Sequence, residues 1–159
     1  MEDEKPPFES CSESAFLYVS DLSPDADRDA VPAIAGVSRT HNAAENITGL
    51  LMFDGSSFAQ WLEGPVLPME ALLGRLRADR RHHRMDVLWF ESPCLGRRFP
   101  RWHFGYLDAQ GSGERLGRLR GTHGVDAMLL FGKLSRGVAT EQYFSRVWRR
   151  PRAAAPADA

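Results

Sequence analysis

The sequence lacks the features that mark several large classes of protein. Its two cysteines, Cys11 and Cys94, lie far apart, and neither has a second thiol two to four residues away. A cysteine metal knuckle is therefore excluded, and free thiols in a reducing compartment are expected. Charge of one sign is also lacking: 20 basic and 21 acidic residues leave a formal net charge of −1. That balance argues against a protein held chiefly by attraction to nucleic acid or anionic membrane. Long apolar runs are missing too. The run from Ala127 to Phe131 is five residues, far short of the roughly 20 that cross a bilayer. The N-terminal Met-Glu-Asp-Glu-Lys-Pro-Pro has neither the basic nor the apolar region of a secretory signal, so a cytoplasmic location is expected. Lys5 and Lys133 are the only lysines, a bias that GC-rich codon usage explains without special chemistry.

Familiar catalytic signatures are absent as well. No G-x-S-x-G, H-E-x-x-H or C-x-x-C occurs. Gly111-Ser-Gly113-Glu-Arg-Leu-Gly117 has one residue too many for a dinucleotide fingerprint and reads as a flexible linker, and Gly132-Lys133 lacks the upstream glycine of a phosphate loop. His82 and His83 are adjacent, so their side chains diverge on a strand or a helix alike and no metal site is expected.

What is present is one domain's worth of chain, 159 residues and 43% hydrophobic. Residues 1–13, with five acids and two prolines, are expected to be a disordered tail. Ala15–Ser20 reads as a first strand with Phe16, Tyr18 and Ser20 on one face. Ser23, Asp25 and Asp29 crowd the start of a helix carrying Val31, Ile34, Val37 and His41, with Pro32 tolerated in its first turn. Ile47–Phe53 and Ser56–Glu63 flank Asp54-Gly55, a strong hairpin signal. Pro65–Pro68 leads into a second helix with Met69, Leu72, Leu73 and Leu76 on one stripe and Arg75, Arg77 and Arg80 off it. Met85–Glu91 and Trp102–Leu107 are two further strands. Residues 124–136 and 140–150 read as two helices, with Leu130, Leu134 and Val138 on one stripe and Tyr143, Phe144, Val147 and Trp148 on others; 151–159 should fray.

The order βαββαββ, with two helices able to cover one face of a largely antiparallel sheet, predicts an α+β fold. Specifically, it is a ferredoxin-like βαββαββ sandwich with C-terminal capping helices on the other face. Tyr18, Asn42 and Gln60 stand out as polar residues within runs that should be buried. A buried amide must satisfy donors and acceptor, so such residues imply a polar network or a bound polar ligand. Asn42 could equally serve as a helix C-cap.

Phe16-Leu-Tyr18-Val-Ser20, Ser38-Arg-Thr-His41-Asn42, Ile47-Thr-Gly-Leu-Leu51, Phe58-Ala-Gln60-Trp-Leu-Glu-Gly64, Asp79-Arg-Arg-His82, Arg98-Phe99 and Trp102 occur in that order. Together they strongly resemble the BLUF family of flavin-binding blue-light sensors from about Ala15 to Leu107. The resemblance implies a flavin-binding domain over 14–108 and a helical cap or output segment over 109–150. Its cofactor would be FAD, with FMN or riboflavin possible. Ile34 and Leu76 would face the two sides of the ring, and Asn42 would bond its carbonyl edge with His41 nearby. Tyr18 would donate an electron and a proton to the excited flavin, and Gln60 would rearrange its hydrogen bonds between them. Ser38, Leu51, Phe58, Asp79, Arg81 and His82 complete the implied cofactor contacts, with Arg81 and His82 toward the ribityl-phosphate tail. A solvated basic helix end also explains Arg81. Trp102 would be a third photoactive residue on the last strand. Phe104 stands where the family usually has methionine, and phenylalanine lacks the thioether's conformational freedom.

The implied protein turns over no substrate. The roughly 50 residues after Leu107 are too few for a cyclase-sized effector, so its signal would pass to a separate, unidentified partner protein, with a homodimer expected. The alternatives are a ferredoxin-like nucleic-acid-binding module using Arg75–Arg84 and a small flavin oxidoreductase. The first lacks the basic and aromatic run of an RNA-reading strand, and the second lacks an acid, base or thiol beside the ring site.

Overall fold

A computed structural model describes residues 12–94 and 96–147, with side chains through residue 138. Its elements are β1 (Glu13–Leu22), α1 (Val31–Ala44), β2 (Thr48–Phe53), β3 (Ser57–Pro65), α2 (Val66–Ala78), β4 (His82–Glu91), β5 (Gly105–Asp108) and α3 (Gly124–Val147). The βαββαββ order is as expected. The sheet order is β4-β1-β3-β2-β5, antiparallel throughout except for the parallel pair β2 and β5.

Period-two alternation sorts the strands between two cores. Ala15, Leu17 and Val19 of β1 pack with Trp61, Ala127, Phe131, Leu134 and Val138, so α3 covers one face of the sheet. Phe16 and Tyr18 pack with Leu62 and Met69, so α2 covers the other. There α1 sits beside α2, and Ala35 packs against Leu51 and Phe104. Asp54-Gly55 forms the expected hairpin turn. Gly55 has φ +97°, and the Asp54 carboxylate accepts the Ser56 and Ser57 backbone N–H groups, the local side-chain bonding that makes aspartate a turn residue.

Several expectations need correction. A single helix spans Gly124–Val147 instead of two, because Gly137 costs a helix only about 1 kcal/mol and the buried row Ala127, Phe131, Leu134 and Val138 runs straight past it. The Tyr143, Phe144, Val147 and Trp148 stripes lie outside the described side chains. The stripe of α1 is Val31, Ala35 and Asn42, with Val37 64% exposed. Val37 and Ile34 instead face the cavity described below. Both ends of β1 extend beyond Ala15–Ser20, and β4 begins at His82 instead of Met85. Pro68 lies inside the first turn of α2, where its missing N–H has no helical partner.

The last strand is shorter than expected: it begins at Gly105, and Trp102 precedes it in an irregular stretch between turns. The stretch Gly111–Gly117, expected to be a flexible linker, instead lies in a segment with defined turns. Gly111, Gly113 and Gly121 supply left-handed turns with φ between +77° and +81°, while Leu116 and Leu119 are fully buried against the α3 face.

Candidate functional site

A cavity of about 560 Å³ lies between α1 and α2 above the middle of the sheet, within the range that encloses drug-sized ligands. Its floor is the central strand pair. Tyr18 of β1 and Gln60 of β3 are directly opposite in register, and the Tyr18 hydroxyl donates to Gln60 Oε1 at 2.6 Å. Leu51 and Phe58 extend the floor. Ile34 on α1 and Leu76 on α2 line the two helical walls, with Ser38, His41 and Asn42 farther along α1. Asp79, Arg81 and His82 close the end where α2 gives way to β4. All twelve residues expected to contact a cofactor therefore line one cavity.

The apolar walls and polar floor have separate physical causes. Alternation on β1 and β3 brings Tyr18 and Gln60 to the α1–α2 face while Leu17 and Trp61 go to the α3 face. Burial pushes the Tyr18 phenol well above its ordinary value, with the nearby Asp79 charge adding in the same direction. It is a neutral donor at physiological pH. The Gln60 oxygen takes the phenol, and no protein acceptor meets the amide nitrogen's hydrogens among the described residues. That leaves a donor for whatever fills the cavity.

Asn42 is buried within α1, and its Nδ2 donates to the His103 carbonyl at 3.0 Å. It is not the helix C-cap; the left-handed residue after the helix is Asn46, with φ +54°. At the rim, Asp79 accepts Arg81 through two parallel guanidinium contacts and the Arg81 backbone N–H. These contacts with Arg81 hold the Asp79 carboxyl below its usual value despite partial burial. His82 Nε2 lies 2.7 Å from the Leu76 carbonyl at the end of α2, so that nitrogen carries the ring's hydrogen.

Eight lining residues lie outside the expected contact set, and two of them, Arg75 and Phe104, bear on the chemistry. Arg75 was placed off the apolar stripe, yet Leu72, Arg75, Leu76 and Asp79 follow the i, i+3, i+4, i+7 spacing of a single helix face. Phe104 is 8% exposed and lines the cavity. It is set in place from two sides. The fully buried Glu63 accepts the Trp61 indole at 2.6 Å and the Arg98 and Phe99 backbone N–H groups at 2.6 and 3.2 Å. Farther along the same segment, Gly49 N–H donates to the Trp102 carbonyl; residue 49 itself must be glycine because a Cβ there would collide with the Trp61 carbonyl of β3. Trp102 is not a cavity residue. The residue is 48% exposed, and its ring stacks on Phe99 at 5.7 Å.

The chain has clear relatives. A profile described as BLUF, sensors of blue-light using FAD, matches residues 14–105. The photoactivated adenylate cyclase subunit beta of Euglena gracilis is 34% identical over 70 residues, 44% of this chain and 8% of that one. The blue light- and temperature-regulated antirepressor BluF of Escherichia coli is 27% identical over 75 residues, 47% of this chain and 19% of that one. This chain thus matches only a small part of those relatives. By contrast, the dark-state structure of BlrB, a BLUF protein, superimposes with a TM-score of 0.65 at 26% identity, covering 82% of this chain and 97% of that one.

Proposed function

The chain belongs to the BLUF family of flavin-binding blue-light sensors, and from that premise we propose that Tyr18 and Gln60 are its photoactive pair. The observation that carries this reading is the 2.6 Å hydrogen bond from a buried phenol to a buried amide on the floor of a cavity of cofactor size. The cavity suits a flat aromatic ring, with Ile34 and Leu76 on opposing helices and polar groups confined to one edge and the rim. A bound flavin would supply the blue absorption and the excited-state oxidising power. Tyr18 is placed to give up an electron together with its hydroxyl proton, and Gln60 to exchange hydrogen bonds by reorienting its amide, since one amide carries both donors and acceptor. Asn42 anchors α1 at the inner end of the cavity.

FAD is the proposed form, with FMN or riboflavin as lesser fits. Arg81 is held by Asp79, whereas Arg75 has no ion pair among the described residues, so Arg75 is the cation available to a tail phosphate. The same pairing weakens the nucleic-acid reading, because Arg81 and Arg84 face Asp79 and Asp21. The protein turns over no substrate itself. Its signal goes to a separate partner protein in the cytoplasm, from a homodimer, through the segment that ends in α3.

An absorption spectrum before and after blue light tests the reading. Bound flavin with a small, reversible red shift is expected. A flavin-reconstituted protein that shows no shift overturns it.

A further inference from the structure

Asp21 lies outside the cavity, yet four parts of the chain meet at its carboxylate. It is on β1, three residues beyond Tyr18, and its register partner Ser57 on β3 stands three residues before Gln60. Oδ1 accepts the Ser57 hydroxyl at 3.0 Å and lies 2.9 Å from Arg120 Nη2, while Oδ2 accepts Arg84 Nη1 at 3.0 Å. The Asp21 and Arg120 side chains are 19% and 23% exposed, against 64% for Arg84. Arg120 directly follows the short 3-10 turn Leu116–Leu119, whose two end leucines are fully buried, and it precedes the first residue of α3 by four positions.

We propose that Asp21 is a positioning residue that couples the Tyr18–Gln60 pair to the C-terminal segment, with Oδ1 shared between Ser57 of β3 and Arg120. The proposal rests on the photosensor reading of that pair. A strand is nearly inextensible, and three residues span about 10 Å. A small slide of β1 against β3 at Tyr18–Gln60 therefore arrives undiminished at Asp21–Ser57. One oxygen held by a hydrogen bond from Ser57 and an ion pair with Arg120, whose Nη2 meets it at 2.9 Å without hydrogen-bond alignment, cannot keep both when the two shift relative to each other. A half-buried, charge-assisted contact is sensitive to such re-aiming, whereas the apolar packing of α3 on the sheet accommodates a small slide. A second polar fastening of the segment, Leu116 N–H to Asp54 Oδ2 at 2.8 Å, sits on the hairpin turn and moves with β2 and β3 as a unit, and His123 Nε2 lies 4.0 Å from Asp86 Oδ2 on β4, a longer and more exposed contact.

The test is amide hydrogen exchange of residues 116–124 in the flavin-loaded full chain, in the dark and under blue light. In the unmodified protein, light should speed exchange there by about fivefold or more, the response of a segment released from a local contact. Arg120→Gln should keep the flavin red shift but abolish the light–dark difference, with fast exchange in both states. Arg120→Lys should restore part of it. Ser57→Ala, which removes the hydrogen bond to Oδ1 and leaves the ion pair, should shrink the difference, and Arg84→Gln should leave it unchanged. A full light–dark difference in Arg120→Gln or Ser57→Ala overturns the proposal, as does an unmodified protein whose flavin band shifts while this segment does not respond. A flavin band that never shifts overturns the photosensor reading instead.

Discussion

Asn42 and His103 are 61 residues apart in sequence, and the Asn42 side-chain N–H donates to the His103 carbonyl at 3.0 Å. The bond ties the last turns of α1 to the residue preceding Phe104, so the helical wall and the aromatic wall of the cavity are set by one contact. His103 also places Nδ1 3.2 Å from the Ile47 carbonyl, which fixes the same segment to the start of the hairpin. Replacing Asn42 with alanine leaves a half-buried carbonyl without its donor, at a cost of about 1–3 kcal/mol. Thermal denaturation of the apoprotein should show this loss. Flavin release, followed by fluorescence of freed flavin, should accelerate as Phe104 loosens.

The Tyr18–Gln60 bond can be removed without disturbing the fold. Tyr18→Phe keeps the ring that packs near Phe16 and His82 and loses only the hydroxyl. Flavin loading should stay near normal while the light-minus-dark absorbance change disappears. Gln60→Ala should do the same by removing the partner. If either variant cycles normally, the roles assigned to the pair are wrong even though the family is not.

Much of this site was legible because strand alternation and helix periodicity are local. Alternation put Phe16, Tyr18 and Ser20 on one face of β1, while the pairing of Gln60 with Tyr18 and the set of their neighbours came from the ordered motifs of the resemblance. What escaped depends on contacts distant in sequence. Trp102 reads as strand by composition, but the Glu63 clasp on residues 98 and 99 and the Gly49 bond to its carbonyl hold it in an irregular stretch, and the ladder with β2 starts only at Gly105. The Gly111–Gly117 stretch reads as a linker by its glycines. It is ordered because Leu116 and Leu119 find a core contributed by β1, β3 and α3, and no local pattern reveals that.

The continuity of α3 gives a sharp contrast between two leucines on one helix. Leu134 is 1% exposed within the core of the α3 face, whereas Leu129 is 62% exposed. Leu134→Ala should cost about 2–5 kcal/mol and Leu129→Ala less than about 0.5 kcal/mol. Denaturant midpoints measured at constant slope will separate them. Equal effects would mean that the helix does not lie on the sheet as described.

Tyr106 carries a buried hydroxyl without a hydrogen-bond partner among the described residues, and burial chiefly pushes its phenol up to about 12. Tyr106→Phe removes a desolvated polar group and leaves the ring against Phe104 and Leu51. The variant should be as stable as the parent or more so, by up to about 1 kcal/mol, with an unchanged flavin spectrum. A large loss of stability would reveal an acceptor that the packing conceals.

The acid response follows from carboxylates whose partners outweigh their burial. Glu13 is lowered first by its hydrogen bonds from Arg97, which reach 2.7 Å, against the opposing effect of burial. Burial alone would raise Asp21, but its contacts with Arg120 and Ser57 and the charges of Arg120 and Arg84 bring it below its usual value. A folded-state value below the unfolded one means that the folded chain binds fewer protons, so stability rises with pH across that interval. The contribution is complete above about pH 4–5, where unfolded carboxyls are already ionised. It is lost as pH falls through the lowered values. Stability should thus be flat with respect to these groups near neutrality and fall steeply below about pH 4. Glu13→Gln and Asp21→Asn should each be less stable at pH 7, with a smaller acid-induced loss than the parent. Denaturant melts from pH 7 to pH 3 measure both, and an acid slope unchanged in the double variant would mean that other carboxylates set the limit.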